Sequence, residues 1–506
     1  MSDELEAKVR KFFEDKYNVL LVSLIVLTLI LRIYHFWITK SQPVWWDEAE
    51  YLSMAKSIAF NVPFEWSAMR PPLMPILEAI IFMLGFTEPA LRFILEVIPS
   101  VAVIYLVYYL GKEMYDKRIG LLAALITSFN YEIIFNTARL HTDIPSFFFI
   151  LLAFIFFWKG YVKKEKAWYL WFAGLCVSLA FMIRILSLLV IFIFAIFVFS
   201  TDHLKPLKNK NIWIMSGVSF LAVLPYLIWA QIHFGSFMAF TTNTYANIAS
   251  AAPLFWFALD FPKLFLGPVF FIFFIIGLLL FYKLILGIDL LFKGKEKTLI
   301  TDYFLLLTIL IPLAWFIFYL RGAEPRYAFI FVPAIGFIAA RGILTIYDAL
   351  KKYNKEIVIL VVIGIVAYGC YANYQYGDAL IKYKLDSYGQ VKDAGLWLKA
   401  NTNPGDSIYA ASTTQLTYYS EKEITHFYVK NSSGQYVQDK DLLLKEMEKN
   451  NARYMVLSGF EPVFTPEFAF DIPSEMSDTW EPVQVYYIDA EKTQPILVIY
   501  KNIKIR

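Results

Sequence analysis

Residues Asn18 to Ile38 read NVLLVSLIVLTLILRIYHFWI, and six residues later comes Val44-Trp45-Trp46-Asp47-Glu48-Ala49-Glu50-Tyr51. The first part is an apolar run of 21 residues, about the length needed to cross a bilayer. The second places adjacent carboxylates, Asp47 and Glu48, beside tryptophans where that helix would meet water. Solubility explains such a pair poorly; chemistry on a membrane-borne substrate explains it well. No small-x-small cleavage pattern follows the run, so it reads as a retained first helix rather than a removable signal. Residues 1–16 ahead of it carry both signs of charge and read as a cytoplasmic amphipathic helix.

The rest of the chain agrees. It is 58% hydrophobic and 18% aromatic, with a mean hydropathy of +0.54, whereas soluble domains are roughly 45–50% apolar. The fold class expected is a polytopic α-helical membrane protein with a C-terminal soluble α/β domain. The net charge of +3 is small, and no nucleic-acid partner is expected. Cys176 and Cys370 each lie in an apolar run and read as small hydrophobes, not as a disulfide framework or metal cluster.

Charge placement sets the topology. Lysines crowd the loops at 112–118, 159–166, 205–210, 293–297 and 351–355, and join Lys8, Arg10, Lys11 and Lys16 near the start. The positive-inside rule puts this set in the cytoplasm. The alternate loops hold single arginines instead: Arg139, Arg184, Arg321 and Arg326. If Pro72 to Phe86 crossed fully, every later loop would invert. That segment is short, contains Pro75 and Glu78, and so reads as an external helix in or dipping into the membrane surface.

About eleven spans follow, at 18–38, 91–110, 119–136, 144–158, 167–183, 185–200, 212–231, 263–290, 303–320, 327–347 and 357–374. The domains expected are the N-terminus 1–16, a membrane domain 17–375 and an extracytoplasmic domain 376–506. In the last, Gln390–Ala400 and Asp439–Lys449 read as helices. Strands are expected at 407–412, 424–429, 454–460, 483–488 and 495–500. Asn431-Ser432-Ser433 fits a glycosylation sequon.

This topology gathers Asp47, Glu48, Arg70, Arg139, His141, Asp143, Arg184, Glu324, Arg326 and Tyr327 on the external side. Each has a purely structural explanation too. Asp47 with Glu50 matches a capping box, and Asp143 before Ile144-Pro145 matches a helix N-cap. Arg184 could snorkel or clamp an anion bidentately. Glu324 could simply pair with Arg326. Glu96 and Glu132 fall inside spans, where carboxylates draw suspicion, but read as helix-packing partners. Arg32 and His35 read as interfacial anchors.

Asp47-Glu48-Ala49-Glu50-Tyr51, then Arg70-Pro71-Pro72-Leu73, then Arg139-Leu140-His141-Thr142-Asp143, resembles the GT-C superfamily of membrane glycosyltransferases. The similarity is to the branch of dolichyl-phosphate-mannose protein mannosyltransferases and lipid A aminoarabinose transferases. Arg326-Tyr327 before Pro333 resembles that branch's late Arg-Tyr segment. Ala394-Gly395-Leu396-Trp397-Leu398 with Asn403-Pro404-Gly405-Asp406 resembles its prokaryotic external domains.

The resemblance implies a polyprenyl-phosphate-linked sugar donor, an acceptor hydroxyl on a lipid, glycan or protein, and inverting transfer at the outer membrane face. It makes Asp47 the general base and Glu48 its neighbour that orients the acceptor or tunes Asp47. Asp143 becomes the second acid, and Arg70, Arg184 and Arg326 stabilise the leaving phosphate. No cofactor is implied. A divalent cation would fall to Asp143 with His141. The chain departs from the branch at Arg70, where lysine or histidine is common, and in lacking an Asp-x-Asp at 141–143. A transporter or flippase of a lipid-linked anion is the alternative, but it would favour midplane charges on broken helices and repeated halves.

Overall fold

The computed structural model describes residues 2–242, 253–292, 299–320, 324–431, 435–461, 464–489 and 491–505. Arg321, Lys293, Lys295, Lys297 and Ser432-Ser433 of the sequon lie outside the described residues. The chain divides into two compact units. One holds residues 1–40, 67–74 and 88–383; the other holds 41–66, 75–87 and 384–506.

The first unit is helical. Among the described residues, nine helices are long and apolar enough to cross a membrane: Lys16–Thr39, Glu88–Met114, Asp143–Val162, Ile185–Asp202, Lys210–Phe234, Trp256–Leu279, Ile300–Phe318, Pro325–Leu350 and Lys355–Tyr383. The pair Lys117–Phe129 and Tyr131–Thr137, bent by 56°, makes a tenth if counted as one broken span. The eleventh expected span, Trp168–Ile183, has 16 residues, a rise of about 24 Å against a core of about 30 Å. The helix after Arg70 is Leu73–Met83, whose 11 residues rise only about 16 Å and cannot cross.

The breaks have local causes. Asn130 takes an extended backbone (φ −64°, ψ 128°). Its Oδ1 accepts from Glu132 N and Ile133 N at 3.1 and 3.2 Å, capping the second helix of the bent pair. Residues 263–290, expected as one span, form two helices, Phe261–Leu279 and Tyr282–Phe292. The first is kinked at Gly267 (φ 67°), a backbone that glycine adopts without strain. Pro268 there has no N–H to donate, and Asn373 Nδ2 donates to the Leu266 carbonyl beside the kink at 3.0 Å.

The two ends of this unit differ chemically. At one end Lys117 pairs with Asp15 and Lys163 with Glu113, while Lys159 reaches Glu165 at 3.1 Å. Arg341 forks onto Asp302 at 2.6 and 3.2 Å, and the Tyr115 hydroxyl donates to the same carboxylate at 2.8 Å. Asp143–Val162 spans 20 residues, so Asp143 lies about 30 Å from that end.

Arg32 and His35 are not interfacial anchors. Both are buried. Arg32 Nη2 donates to the Ser128 carbonyl at 2.8 Å, and His35 Nε2 lies 3.3 Å from Asp378 Oδ1. A helix that keeps polar groups in an apolar bundle must offer them partners on its neighbours.

The second unit is built on a mixed sheet of order β2-β1-β5-β7-β6. The strands are β1 (Ser407–Ala410), β2 (Ile424–Thr425), β5 (Ala452–Ser458), β6 (Trp480–Tyr487) and β7 (Pro495–Asn502), with β3 (Val429–Lys430) and β4 (Tyr436–Val437) as a separate pair. β1 runs parallel to β2 and β5; β7 is antiparallel to β5 and β6. Side chains alternate between faces. Ile408, Ala410, Tyr454 and Val456 pack with Val391, Leu398 and Leu416 of helices Gly389–Asn401 and Thr413–Ser420. Tyr409, Met455 and Leu457 pack with Leu443 and Met447 of helix Lys440–Lys449 on the other face.

Residues 41–66 belong to this unit, not to a membrane domain running from 17 to 375. Val44 N donates to Tyr419 Oη at 2.8 Å, and Lys56 pairs with Glu421 at 2.9 Å and lies 4.3 Å from the Tyr418 ring centroid. Trp46 stacks on Phe464 at 5.3 Å. The division after the last membrane helix falls at Tyr383, eight residues beyond the expected boundary at 375, because that helix continues unbroken from Lys355.

Candidate active site

In the helical unit the site is assembled where helices end. Helix Asp143–Phe157 starts with Thr142 as N-cap, so Asp143 is the first helical residue and not the cap. Its carboxylate is buried, and Arg184 Nη1 lies 2.9 Å from Oδ1 while Arg326 Nη1 lies 4.0 Å from Oδ2. The Arg184 Nη1 also donates to Thr142 Oγ1 at 3.1 Å. Arg184 occupies an extended break (φ −147°, ψ 120°) between helix Trp168–Ile183 and the short helix Ile185–Leu188, which turns its side chain towards Asp143. The Ser146–Ser187 hydroxyl contact at 2.6 Å ties the two segments together.

Arg326 arrives on the 3-10 helix Pro325–Phe331. Its Nε donates to Glu324 Oε2 at 2.6 Å, so the pairing weighed from sequence is present, and Asp143 adds a second carboxylate. Tyr327 lies beneath both cations, its ring centroid 5.5 Å from the Arg184 guanidinium and 5.8 Å from that of Arg326. Phe147 and Phe329 meet at 5.8 Å. Two guanidinium groups thus converge on one carboxylate, each with a fifth or less of its side chain exposed. An anion approaching them meets forked donors already held in place.

His141 takes a different role from the one a metal would need. Its backbone N–H donates to Glu96 Oε1 at 2.9 Å, and its Nδ1 lies 3.1 Å from Asn136 Oδ1. Asn136 Nδ2 in turn donates to Glu132 Oε1 at 3.0 Å. Among the described residues no three His, Cys, Asp or Glu side chains come together to hold a metal ion. Asp143 faces guanidinium groups instead, so the Asp143–His141 pair does not fit a metal site. Arg139 lies in the loop between helices Tyr131–Thr137 and Asp143–Phe157 and is buried there to 1% exposure. Arg70 is half-buried at the end of the turn Ser67–Arg70.

Sequence reasoning ranked Glu96 and Glu132 low and passed over Asn136 and Thr142. Asn136 stands four residues after Glu132, on the same helix face, which was the available signal. Glu96 carried none beyond being an acid in a span.

In the second unit helix Trp46–Phe60 begins with Trp45 as N-cap. Trp45 N donates to Glu48 Oε2 at 2.6 Å, the back-reaching half of a capping box. Capping therefore falls to Glu48 and not to Asp47 with Glu50, two residues out of the expected register. Asp47 sits half-buried in the first turn.

Residues 69–229 match the family model of the dolichyl-phosphate-mannose-protein mannosyltransferases. By shape, 94% of this chain matches 97% of apo ArnT from Cupriavidus metallidurans, with a TM-score of 0.64 and 12% identity. The fold is that of the GT-C glycosyltransferases. ArnT bound to undecaprenyl phosphate gives a TM-score of 0.62 at 11% identity over the same shares of each chain. The oligosaccharyltransferase AglB from Archaeoglobus fulgidus, in complex with an inhibitory peptide and a dolichol-phosphate, gives 0.59 at 16% identity, over 88% of this chain and 70% of that one. No curated protein matches the chain by sequence. The resemblance read from the motifs is borne out at the level of the GT-C fold, as is the multi-pass membrane architecture with its C-terminal domain. The family match takes in Arg70, Arg139, His141, Asp143 and Arg184, and stops short of Asp47, Glu48, Glu324, Arg326 and Tyr327.

Proposed function

We propose that this GT-C chain is a glycosyltransferase that moves a sugar from a polyprenyl-phosphate donor to an acceptor hydroxyl at the outer membrane face, with inversion. The observation that carries the reading is the pair Arg184 and Arg326 facing Asp143 over the Tyr327 ring. A lipid phosphate is an anion that must sit at a membrane surface, and forked guanidinium groups suit its oxygens.

In this reading the acceptor oxygen attacks the anomeric carbon as the carbon–oxygen bond to the lipid phosphate breaks. The electron pair leaves with the phosphate, and the arginines stabilise that charge as it grows. Asp143 holds the guanidinium groups in place before substrate arrives, which spares their ordering during reaction. The acceptor proton goes to Asp47, the base by resemblance. Arg70, Arg139, Glu324 and His141 serve the substrate or the groups that hold it. The outer face is assigned from the lysine pattern.

The test is transfer from radiolabelled polyprenyl-phosphate sugars to membrane extracts by wild type, Arg184→Gln and Asp47→Asn. Loss in both variants supports the assignment; transfer by Asp47→Asn equal to wild type removes the base role.

A further inference from the structure

An apolar groove of about 500 Å³ lies within the helical unit among helices Trp168–Ile183, Leu189–Asp202 and Lys210–Phe234. This volume is within the roughly 300–1,000 Å³ of small-molecule sites. Its lining is almost wholly hydrocarbon and aromatic, including Val198, Phe199, Leu207, Ile212 and Phe220. The back wall is the close crossing of two helices. A Cβ on Gly174 would stand 2.4 Å from the Met215 carbonyl oxygen, and Ser178 and Ser219 meet at 2.8 Å. The front wall is helix Lys210–Phe234, the least buried of the nine membrane-length helices.

The groove runs from Phe181, Leu188, Leu227 and Phe240 at one end to Ile212 and Trp213, in the first turn of helix Lys210–Phe234, at the other. Pro206 and Leu207 close that end, and Lys205, Lys208 and Lys210 stand exposed around them. Trp213 is 59% exposed, with its indole N–H on the Leu207 carbonyl at 2.8 Å, as suits a tryptophan at a membrane–water boundary. An apolar slot with three cations at its mouth is complementary to one kind of molecule in a bilayer.

We propose that this groove binds an acyl chain of an anionic phospholipid from the lysine-side leaflet, its headgroup phosphate held by Lys205, Lys208 and Lys210. The site is separate from the Asp143–Arg184–Arg326 cluster and stands whether or not the proposed transfer reaction is correct. The cations choose the lipid through its phosphate, while the groove holds its chain.

The full chain is reconstituted in nanodiscs containing trace diazirine-acyl phosphatidylglycerol or phosphatidylcholine with matched chains, and adducts are mapped by mass spectrometry. The expected result is labelling of residues 191–199 and 212–220, stronger for phosphatidylglycerol by roughly tenfold and weakened by salt. Lys205→Gln with Lys208→Gln and Lys210→Gln should remove the preference and leave the chain's position unchanged. Ser216→Trp should remove the adduct and leave the lysines in place. The wild-type comparison needs no variant to fold. Equal labelling by the two lipids, or labelling elsewhere, overturns the proposal. Displacement of the label by polyprenyl phosphate also overturns it, by giving the groove to a prenyl chain.

Discussion

Arg184 Nη1 lies 2.9 Å from the Asp143 carboxylate, reaching it from the extended break between helices Trp168–Ile183 and Ile185–Leu188. Breaking such a pair takes its 2.9 Å cation from a buried carboxylate and leaves Arg326 at 4.0 Å. Arg184→Gln should therefore lower stability by about 3 kcal/mol and raise the KM for the lipid donor. Arg184→Lys should restore stability better than activity, since an ammonium cannot fork. Thermal unfolding in detergent beside donor titrations checks both; a donor KM unchanged in Arg184→Gln sinks the phosphate role.

Asp47 and Glu48 should separate cleanly. Asp47→Asn is expected to reduce transfer by roughly 10²–10⁴-fold with the melting temperature unchanged. Glu48→Ala removes the bond to Trp45 N and should cost about 1 kcal/mol of stability. A stability loss in Asp47→Asn as large as that in Glu48→Ala would return Asp47 to a structural role.

Glu96 accepts the backbone N–H of His141 two residues before Asp143. Glu96→Ala should leave that donor unsatisfied in a buried place and cost about 1–3 kcal/mol. His141→Ala loses the ring's contact with Asn136 and keeps the backbone bond, so its loss should be smaller. Denaturation midpoints for the two variants give the order directly.

His426 in the second unit stacks on Tyr428 at 4.5 Å and meets Phe464 edge-on at 5.9 Å. Burial lowers its pKa to about 4. The folded imidazole thus stays neutral while the unfolded one takes a proton near pH 6.5. Between about pH 6.5 and 4 the unfolded state binds more protons, so stability falls as pH drops through that window and is unaffected above it. Following the His426 ring by NMR should give a midpoint near 4. A midpoint near 6.5 contradicts the packing.

Lys112, in the last turn of helix Ile98–Met114, and Glu324, just before the 3-10 helix Pro325–Phe331, are exposed at positions assigned to opposite faces. Cysteines placed there should react with an impermeant maleimide from opposite sides of sealed vesicles. Reaction from one side would overturn the topology and the outer-face assignment with it.

The spans, the lysine alternation and the C-terminal strands were legible because they are local. Hydropathy accumulates along a run, and Ile408, Ala410, Tyr454 and Val456 alternate with a period that any strand imposes. The site was legible as a set of residue types at helix ends, and Asp143, Arg184, Glu324, Arg326 and Tyr327 do meet. Their pairing was not legible: Arg184 and Arg326 stand 41 and 183 residues after Asp143, and nothing in a linear chain says which cation a carboxylate will face. The same holds for Arg32 and His35, whose places inside the bundle depend on Ser128 and Asp378.

By itself, then, the sequence determined the membrane class, most helix positions, the α/β domain and the acids worth suspecting. These follow from backbone periodicity and the energy of apolar burial, which each segment carries alone. Only the tertiary structure decided that Glu48 caps its helix and that residues 41–66 join the C-terminal unit. It alone paired Asp143 with two arginines. Those outcomes depend on partners brought close by folding, because hydrogen bonds and ion pairs act over a few ångströms in space and ignore distance along the chain.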